Sequence, residues 1–153
     1  MTAIQQCKSI LIVEDNDDIR ETLEQVLKTE GYNVCAVTNG RDALVALKKV
    51  PAPALVLLDL MMPVMNGWEF MEAQKEDAVF ASLPVVVVSA LNAPTALSNN
   101  AIPLPAVGYI KKPIALNTLM DIVVQYCGQG QEVSDEVSEE LLNDSSESLQ
   151  VAV

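Results

Sequence analysis

The sequence predicts an α/β protein with a doubly wound, five-stranded parallel sheet. Short apolar runs alternate along the chain with longer stretches whose apolar residues recur at helical spacing. Alternating strands and helices are typical of βαβ units, which require parallel strands. The strand segments are apolar at nearly every position, as expected for strands that helices cover on both faces. The chain has 153 residues, enough for one such domain and a short tail.

The first half of the chain predicts three strands and two helices. The strands are residues 9–14, 32–37 and 54–58, and the helices are residues 17–30 and 41–50. Asn16 suits the N-cap of the first helix, and Gly31 suits the position just after its end. Asn39 and Gly40 predict a turn before the second helix, and Pro51 ends that helix.

The second half predicts two further strands, residues 84–88 and 107–110, with helices at 67–76 and 115–127. A fourth helix is expected between these two strands. That segment, residues 92–106, contains Pro94, Pro103 and Pro105, and proline disrupts helices. We therefore expect the fourth helix to be short or distorted and confined to about residues 94–101.

Composition and charge exclude several classes of protein. The chain carries 21 acidic and 9 basic residues, a net charge of −12, so direct binding to nucleic acid is not expected. It has no histidine, which excludes Ser-His and Cys-His nucleophile pairs. Cys7, Cys35 and Cys127 lie far apart and predict reduced, packed thiols rather than a zinc site or disulfides. No apolar run approaches the roughly 18 residues of a membrane span.

The end of the chain differs from the rest. Residues 128–153 contain seven acids and neither lysine nor arginine. This composition, rich in Ser, Glu and Asp, predicts a mostly disordered acidic tail after a domain at residues 1–127. Val137, Leu141 and Leu142 leave open the alternative of a short helix that docks on the domain.

Polar side chains stand where the predicted strands end. Glu14 and Asp15 end the first strand, Asp59 follows the third, Ser89 follows the fourth, and Lys112 comes shortly after the fifth. Open parallel sheets bind their ligands at the carboxyl ends of the strands. We therefore expect three carboxylates, one hydroxyl and one ammonium group to converge on one rim of the sheet.

Three carboxylates in one pocket repel one another, and a divalent cation between them would remove that repulsion. Hard oxygen ligands with room for water suit Mg²⁺, which also takes phosphate oxygens. A carboxylate beside such a cation can act as a nucleophile on phosphorus, while a lysine neutralises the transferring group. The pattern predicts phosphoryl-transfer chemistry with Mg²⁺ as the cofactor.

Five features occur in order along the chain. They are Glu14-Asp15, Asp59 with Pro63 and Gly67, Ser89-Ala90, Tyr109, and Lys112-Pro113. Over about residues 7–127, this combination resembles the receiver domain of response regulators, the CheY-like class. The resemblance implies the flavodoxin-like fold with strand order 2-1-3-4-5.

The resemblance also implies a role for each acidic residue. Asp59 would be the phosphoacceptor. Asp15 and Asp59 would ligate Mg²⁺ directly, and Glu14 would do so directly or through water. The backbone carbonyl of Met61 would supply a further ligand.

The remaining matched residues would act on the phosphoryl group and on the signal. Lys112 would pair with the phosphoryl group, and its peptide bond to Pro113 would be cis. Ser89 would move toward the phosphate, and Tyr109 would swing inward behind it. This is a two-state switch biased by a new charge.

The function that follows is that of a single-domain response regulator in a two-component phosphorelay. It would accept a phosphoryl group from a histidine kinase or phosphotransfer protein and signal to a downstream protein target. It would not be an enzyme, except that it would catalyse its own phosphorylation and dephosphorylation. We expect a soluble, cytoplasmic protein, monomeric or weakly dimeric, that binds neither nucleic acid nor membrane.

Three alternatives stay open at this point. The odd composition of residues 92–106 suits a receiver fold that serves only as a scaffold and is never phosphorylated. A phosphatase of the haloacid dehalogenase type needs a second acid two residues after its nucleophile, where this chain has Met61. A flavodoxin-like electron carrier would place its flavin phosphate near Glu14 and Asp15, whose charges would repel it.

Overall fold

The computed structural model describes residues 9–49, 52–92 and 106–128, and the backbone of 98–99 and 102–103. The strands are β1 (Ser9–Val13), β2 (Asn33–Val37), β3 (Leu55–Asp59), β4 (Val85–Ser89), β5 (Ser98–Asn99), β6 (Ile102–Pro103) and β7 (Gly108–Lys111). The helices are α1 (Asp17–Thr29), α2 (Gly40–Lys49), α3 (Gly67–Lys75) and α4 (Leu116–Cys127).

The main sheet has five parallel strands in the order β2-β1-β3-β4-β7. This is the predicted order 2-1-3-4-5, because β7 is the fifth of the predicted strands. Side chains alternate between the two faces of each strand. Ile12 and Leu57 pack on the face that α1 and α4 cover, whereas Val13 and Leu58 pack on the face that α2 and α3 cover. Helices on both faces explain why the strands are apolar at nearly every position.

Helix α1 ends in hydrogen bonds that direct the chain into β2. The N–H of Gly31 donates to the carbonyl of Lys28 at 3.0 Å, and that of Tyr32 donates to Leu27 at 3.1 Å. Gly31 has a φ of 96°, in the left-handed region that glycine adopts at low cost. Tyr32 and Leu27 then pack in the same core. The prediction that Gly31 terminates this helix is confirmed.

The loop between β3 and α3 is held close to the end of the strand. The side chain of Asn66 caps α3 and forms a reciprocal capping box with Glu69. The N–H of Gly67 donates to the carbonyl of Leu60 at 2.9 Å. The start of α3 therefore lies directly against the backbone that carries Asp59.

The segment between β4 and β7 differs from its prediction. Ser98–Asn99 and Ile102–Pro103 pair as a short antiparallel ladder. The prediction of a helix over about residues 94–101 is therefore wrong at 98–99, while 93–97 and 100–101 lie outside the described residues. Proline disfavours the helical conformation in the residue before it, so Ile102 is extended and pairs with Asn99, which is therefore extended as well.

The predicted tail and the predicted domain start fall largely outside the described residues. The structure gives no description of residues 1–8 or 129–153. Helix α4 ends at Cys127, at the predicted end of the last helix. Within the described residues, every helix is too short or too polar to be a membrane span.

We expect Gly67→Ala to destabilise the fold. A Cβ at this position would lie 2.5 Å from the Asp59 carbonyl oxygen and 2.8 Å from the Leu60 Cα, both backbone atoms that cannot move away cheaply. The overpacking should lower the free energy of unfolding by about 1–3 kcal/mol, measured by urea denaturation.

Gly108→Ala is the matched control, because its Cβ would meet only the Val86 side chain, at 3.4 Å. Equal stability of the two variants would contradict the close approach of α3 to β3.

Candidate functional site

The predicted site residues meet at the carboxyl-terminal edge of the sheet. Glu14 follows β1, Asp59 ends β3, Ser89 ends β4 and Lys112 follows β7. The four strands are parallel and adjacent, so their carboxyl ends lie side by side. A cleft at this edge is lined by residues from all four strand ends and from the start of α1. Its lining includes Glu14, Asp15, Asn16, Asp17, Ile19, Asp59, Met61, Ala90 and Lys112.

Three carboxylates form a cluster in this cleft. Glu14, Asp15 and Asp59 each offer one oxygen, and these oxygens all lie within 4.8 Å of one another. Glu14 and Asp59 are buried, with 2% and 5% of their surface exposed, whereas Asp15 is exposed. The cluster therefore has a buried floor and one side open to solvent.

Lys112 supplies the positive charge of the cleft. Its Nζ lies 2.9 Å from Glu14 Oε1 and 3.6 Å from Asp59 Oδ2. The neighbouring Lys111 points elsewhere, and its Nζ donates to the Ala90 carbonyl at 2.7 Å. Lys112 is thus the lysine that enters the cleft, as predicted. Its peptide bond to Pro113 is cis, also as predicted.

The electrostatics of the cluster are unbalanced. Burial raises the pKa of the Asp59 carboxyl to about 7, and the negative charge of Glu14 adds to the effect. The Lys112 ammonium and the backbone N–H of Met61 act in the opposite direction and do not cancel it. One ammonium group faces three carboxylates, so the cleft favours a further positive charge.

This donor set fits a hard divalent cation. The carboxylate oxygens are close enough to one another to share one ion, and the open side at Asp15 leaves room for water. Mg²⁺ prefers oxygen ligands of this kind and retains several waters.

Glu14 is held by contacts that the sequence analysis missed. Its carbonyl accepts from Arg20 Nη1 at 3.1 Å, and Arg20 also pairs with Asp17 at 2.6 Å. The Glu14 N–H donates to the Val37 carbonyl at 3.0 Å. The side-chain oxygen Oε2 accepts from the N–H of Asn16 at 3.1 Å. Arg20 is one helical turn beyond the N-cap Asn16, and that spacing could have indicated that its side chain reaches back to the end of β1.

Met61 lies at the mouth of the cleft. Its N–H donates to Asp59 Oδ1 at 3.4 Å, and its side chain is 60% exposed. The main chain of Met61 therefore approaches the Asp59 carboxylate while the thioether faces solvent. Its role as a carbonyl ligand stays a prediction.

Ser89 and Tyr109 are connected through the turn after β4. Ser89 is fully buried, and its Oγ accepts from the N–H of Leu91 at 3.1 Å. The half-buried Tyr109 donates its hydroxyl to the Leu91 carbonyl, and the Ser89 carbonyl lies 3.3 Å from that hydroxyl. Ala90, which lies between Ser89 and Leu91 in the chain, lines the cleft. The two residues predicted as a switch are neighbours, and their roles stay predictions.

Fold and site together define a receiver-type α/β domain with an acidic pocket at its carboxyl edge. A match to the response regulator receiver domain family covers residues 10–124. The chain belongs to this family, and it is homologous to response regulators of two-component signalling.

Individual relatives agree with this assignment. The chain is 33% identical to the rice two-component response regulator ORR11, over 58% of this chain and 60% of that protein. It is 29% identical to the polar-differentiation response regulator DivK of Brucella anthropi, over 79% of this chain and 97% of that one. Among solved structures, the chemotaxis response regulator CheY4 of Vibrio cholerae superposes with a TM-score of 0.70. The two are 26% identical, and the match covers 79% of this chain and 99% of that one. The similarity to ORR11 thus spans less than two thirds of that relative's length.

In metal-free buffer, we expect stability to fall as pH rises through the titration range of Asp59. The carboxyl has a pKa of 3.8 when unfolded and about 7 when folded, so the folded state holds the extra proton between these values. The stabilisation is complete below the unfolded pKa and is lost as pH rises through the folded one. Asp59→Asn removes the titration, so its free energy of unfolding should depend less on pH and exceed that of the wild type above pH 7.

Urea unfolding with chelator over this pH range measures the effect. Asp121→Asn, on the exposed face of α4, is the control and should keep the wild-type slope. Equal slopes for the Asp59 and Asp121 variants would contradict a raised pKa at Asp59.

Proposed function

We propose that this chain is a phosphorylatable receiver whose Asp59 takes a phosphoryl group from a phosphohistidine partner and so changes the surface it presents to a target protein. One observation carries the proposal. The buried Asp59 carboxylate shares a cleft with two further carboxylates and with the Lys112 ammonium, at the edge where parallel sheets bind ligands.

The proposed transfer forms a P–O bond to Asp59 as the P–N bond of the phosphohistidine breaks. The electron pair of the P–N bond stays on the imidazole nitrogen, and a donor ring protonated on its other nitrogen leaves as neutral imidazole. Asp59 attacks as the carboxylate. Lys112 Nζ, already 3.6 Å from the Asp59 oxygen, would bind the phosphoryl oxygens that gain negative charge.

Mg²⁺ would be held by Glu14, Asp15, Asp59 and the Met61 carbonyl, and it would supply positive charge to the transferring oxygens. The close carboxylate oxygens support this assignment. Burial, with the charge of Glu14 in addition, raises the pKa of Asp59, so a cation beside Asp59 would stabilise its charged form. Glu14 would also keep Lys112 in the cleft through their 2.9 Å ion pair.

The Ser89 hydroxyl would donate one hydrogen bond to the phosphoryl group. Since its Oγ accepts from the Leu91 N–H, a movement of Ser89 would shift the turn after β4. Tyr109 also contacts that turn, so it would follow. The downstream target would read the resulting change between β4 and β7.

The phosphoryl donor must lie outside this sequence, because the chain contains no histidine. An apolar groove adjoins the acidic cleft, and both are lined by Ile19 and Lys112. The groove runs between α1 and the β7–α4 loop, where Leu23, Ile114 and Leu116 line it. A histidine-bearing helix could place its imidazole in the cleft while its apolar residues fill the groove. We therefore propose a histidine kinase or phosphotransfer protein as the occupant.

Asp59→Asn should abolish phosphorylation. With radiolabelled acetyl phosphate and Mg²⁺, the wild type should gain a label that hydroxylamine removes, as expected of an acyl phosphate. Asp121→Asn is the control and should be labelled normally, since Asp121 lies on the exposed face of α4. An unlabelled wild type, or full labelling of the Asp59 variant, would refute the phosphoacceptor and favour the scaffold alternative. The observation that favours this alternative is the pairing of Ser98–Asn99 with Ile102–Pro103, because a helix was predicted for about residues 94–101.

Leu116→Ser should slow transfer from a phosphorylated histidine phosphotransfer protein several-fold, because Leu116 is 50% exposed and lines the groove. Labelling by acetyl phosphate should stay at the wild-type rate, since Leu116 does not line the acidic cleft. Val79→Ser is the matched control, as Val79 is 72% exposed elsewhere on the surface. Equal slowing of both reactions by Leu116→Ser would contradict a docking role.

A further inference from the structure

Two side chains of β7 hold the turn that follows β4. The Nζ of Lys111 donates to the Ala90 carbonyl at 2.7 Å, and the hydroxyl of Tyr109 donates to the Leu91 carbonyl. Residues two apart in a strand point to the same face, so one face of β7 supplies both contacts. Lys112, one position further on, turns into the acidic cleft instead.

The contact of Lys111 fixes the orientation of a single peptide group. The carbonyl of Ala90 and the N–H of Leu91 belong to the same planar peptide unit. Lys111 holds the carbonyl end, and the Oγ of Ser89 accepts from the N–H end at 3.1 Å. A rotation of this peptide would break both hydrogen bonds, so the position of Lys111 and the orientation of the Ser89 hydroxyl are linked.

The orientation of the Ala90–Leu91 peptide affects where the Ser89 hydroxyl can donate its hydrogen. A serine hydroxyl has one hydrogen to donate and two lone pairs to accept with. Since Ser89 uses a lone pair for the Leu91 N–H, its hydrogen is left for another acceptor. Ala90, whose carbonyl Lys111 binds, lines the cleft that contains Asp59.

We propose that Lys111 is a positioning residue for phosphorylation. By holding the Ala90–Leu91 peptide, it keeps the Ser89 hydroxyl oriented to donate to a phosphoryl group on Asp59. This inference rests on the proposed function of Asp59. It gives a role to an exposed lysine that does not line the acidic cleft.

The test compares Lys111→Met with Lys111→Arg, which retains a cationic donor. In Lys111→Met, the Leu91 amide should exchange its hydrogen faster, as followed by NMR without any phosphoryl analogue. Affinity for beryllofluoride in the presence of Mg²⁺, an analogue of the aspartyl phosphate, should fall about threefold, the loss expected for one exposed hydrogen bond. Lys111→Arg should restore both properties, and the affinity for Mg²⁺ alone should not change in either variant.

Two controls separate positioning from a general loss of charge. Lys75→Met removes an exposed lysine from α3 and should behave as the wild type. In a Ser89→Ala background, Lys111→Met should cause no further loss of beryllofluoride affinity, because its effect passes through the serine hydroxyl.

Unchanged Leu91 exchange in Lys111→Met, or additive losses in the double variant, would overturn the positioning role while leaving Asp59 as the acceptor. A wild type that does not bind beryllofluoride would instead overturn the proposed function, and this inference with it.

Discussion

The repulsion between carboxylates that lie close together at one end of the parallel sheet is the interaction on which the rest of the site depends. Glu14 and Asp59 are buried beside the exposed Asp15, and among the described residues that line the cleft only Lys112 is basic. Burial and the charge of Glu14 raise the pKa of Asp59, so the free cleft favours either a proton or a cation. A carboxylate whose charged form is stabilised by nearby cations is suited to receive a metal-bound phosphoryl group.

The scaffold keeps this unfavourable arrangement in place with backbone contacts. The β1 end is fixed because the Glu14 N–H bonds to β2 and its carbonyl bonds to Arg20. The β3 end is fixed because Gly67 allows α3 to approach the strand closely. Apolar packing on both sheet faces, with residues such as Phe70 and Leu119 fully buried, opposes the repulsion. The stability of the two helical layers thus permits a locally destabilising functional cluster.

Much of this site could be predicted because strand ends are easy to locate. Apolar runs mark β1, β3 and β4, and parallel pairing brings the residues after them together, so the meeting of Asp59 with Glu14 follows from topology. The contact of Arg20 with the Glu14 carbonyl is local, and the spacing of Arg20 from the N-cap Asn16 could have indicated it. The contact of Lys111 could not be predicted, since its long side chain reaches a carbonyl that only tertiary packing brings near. The pairing of Ser98–Asn99 with Ile102–Pro103 was not predicted, because the spacing of prolines indicates where a helix cannot continue and not which structure replaces it.

The bond between Tyr32 and Gly128 has an architectural consequence. The Tyr32 hydroxyl donates to the Gly128 carbonyl at 2.5 Å, which ties the end of α4 to the start of β2. Both lie at the amino-terminal edge of the sheet, one strand length, or roughly 17 Å, from the carboxyl edge. That spacing exceeds the screening length of about 8 Å in physiological salt. Gly128 therefore lies on the far side of the domain from the pocket, and a charge at that position would be too distant to add to the field around Asp59.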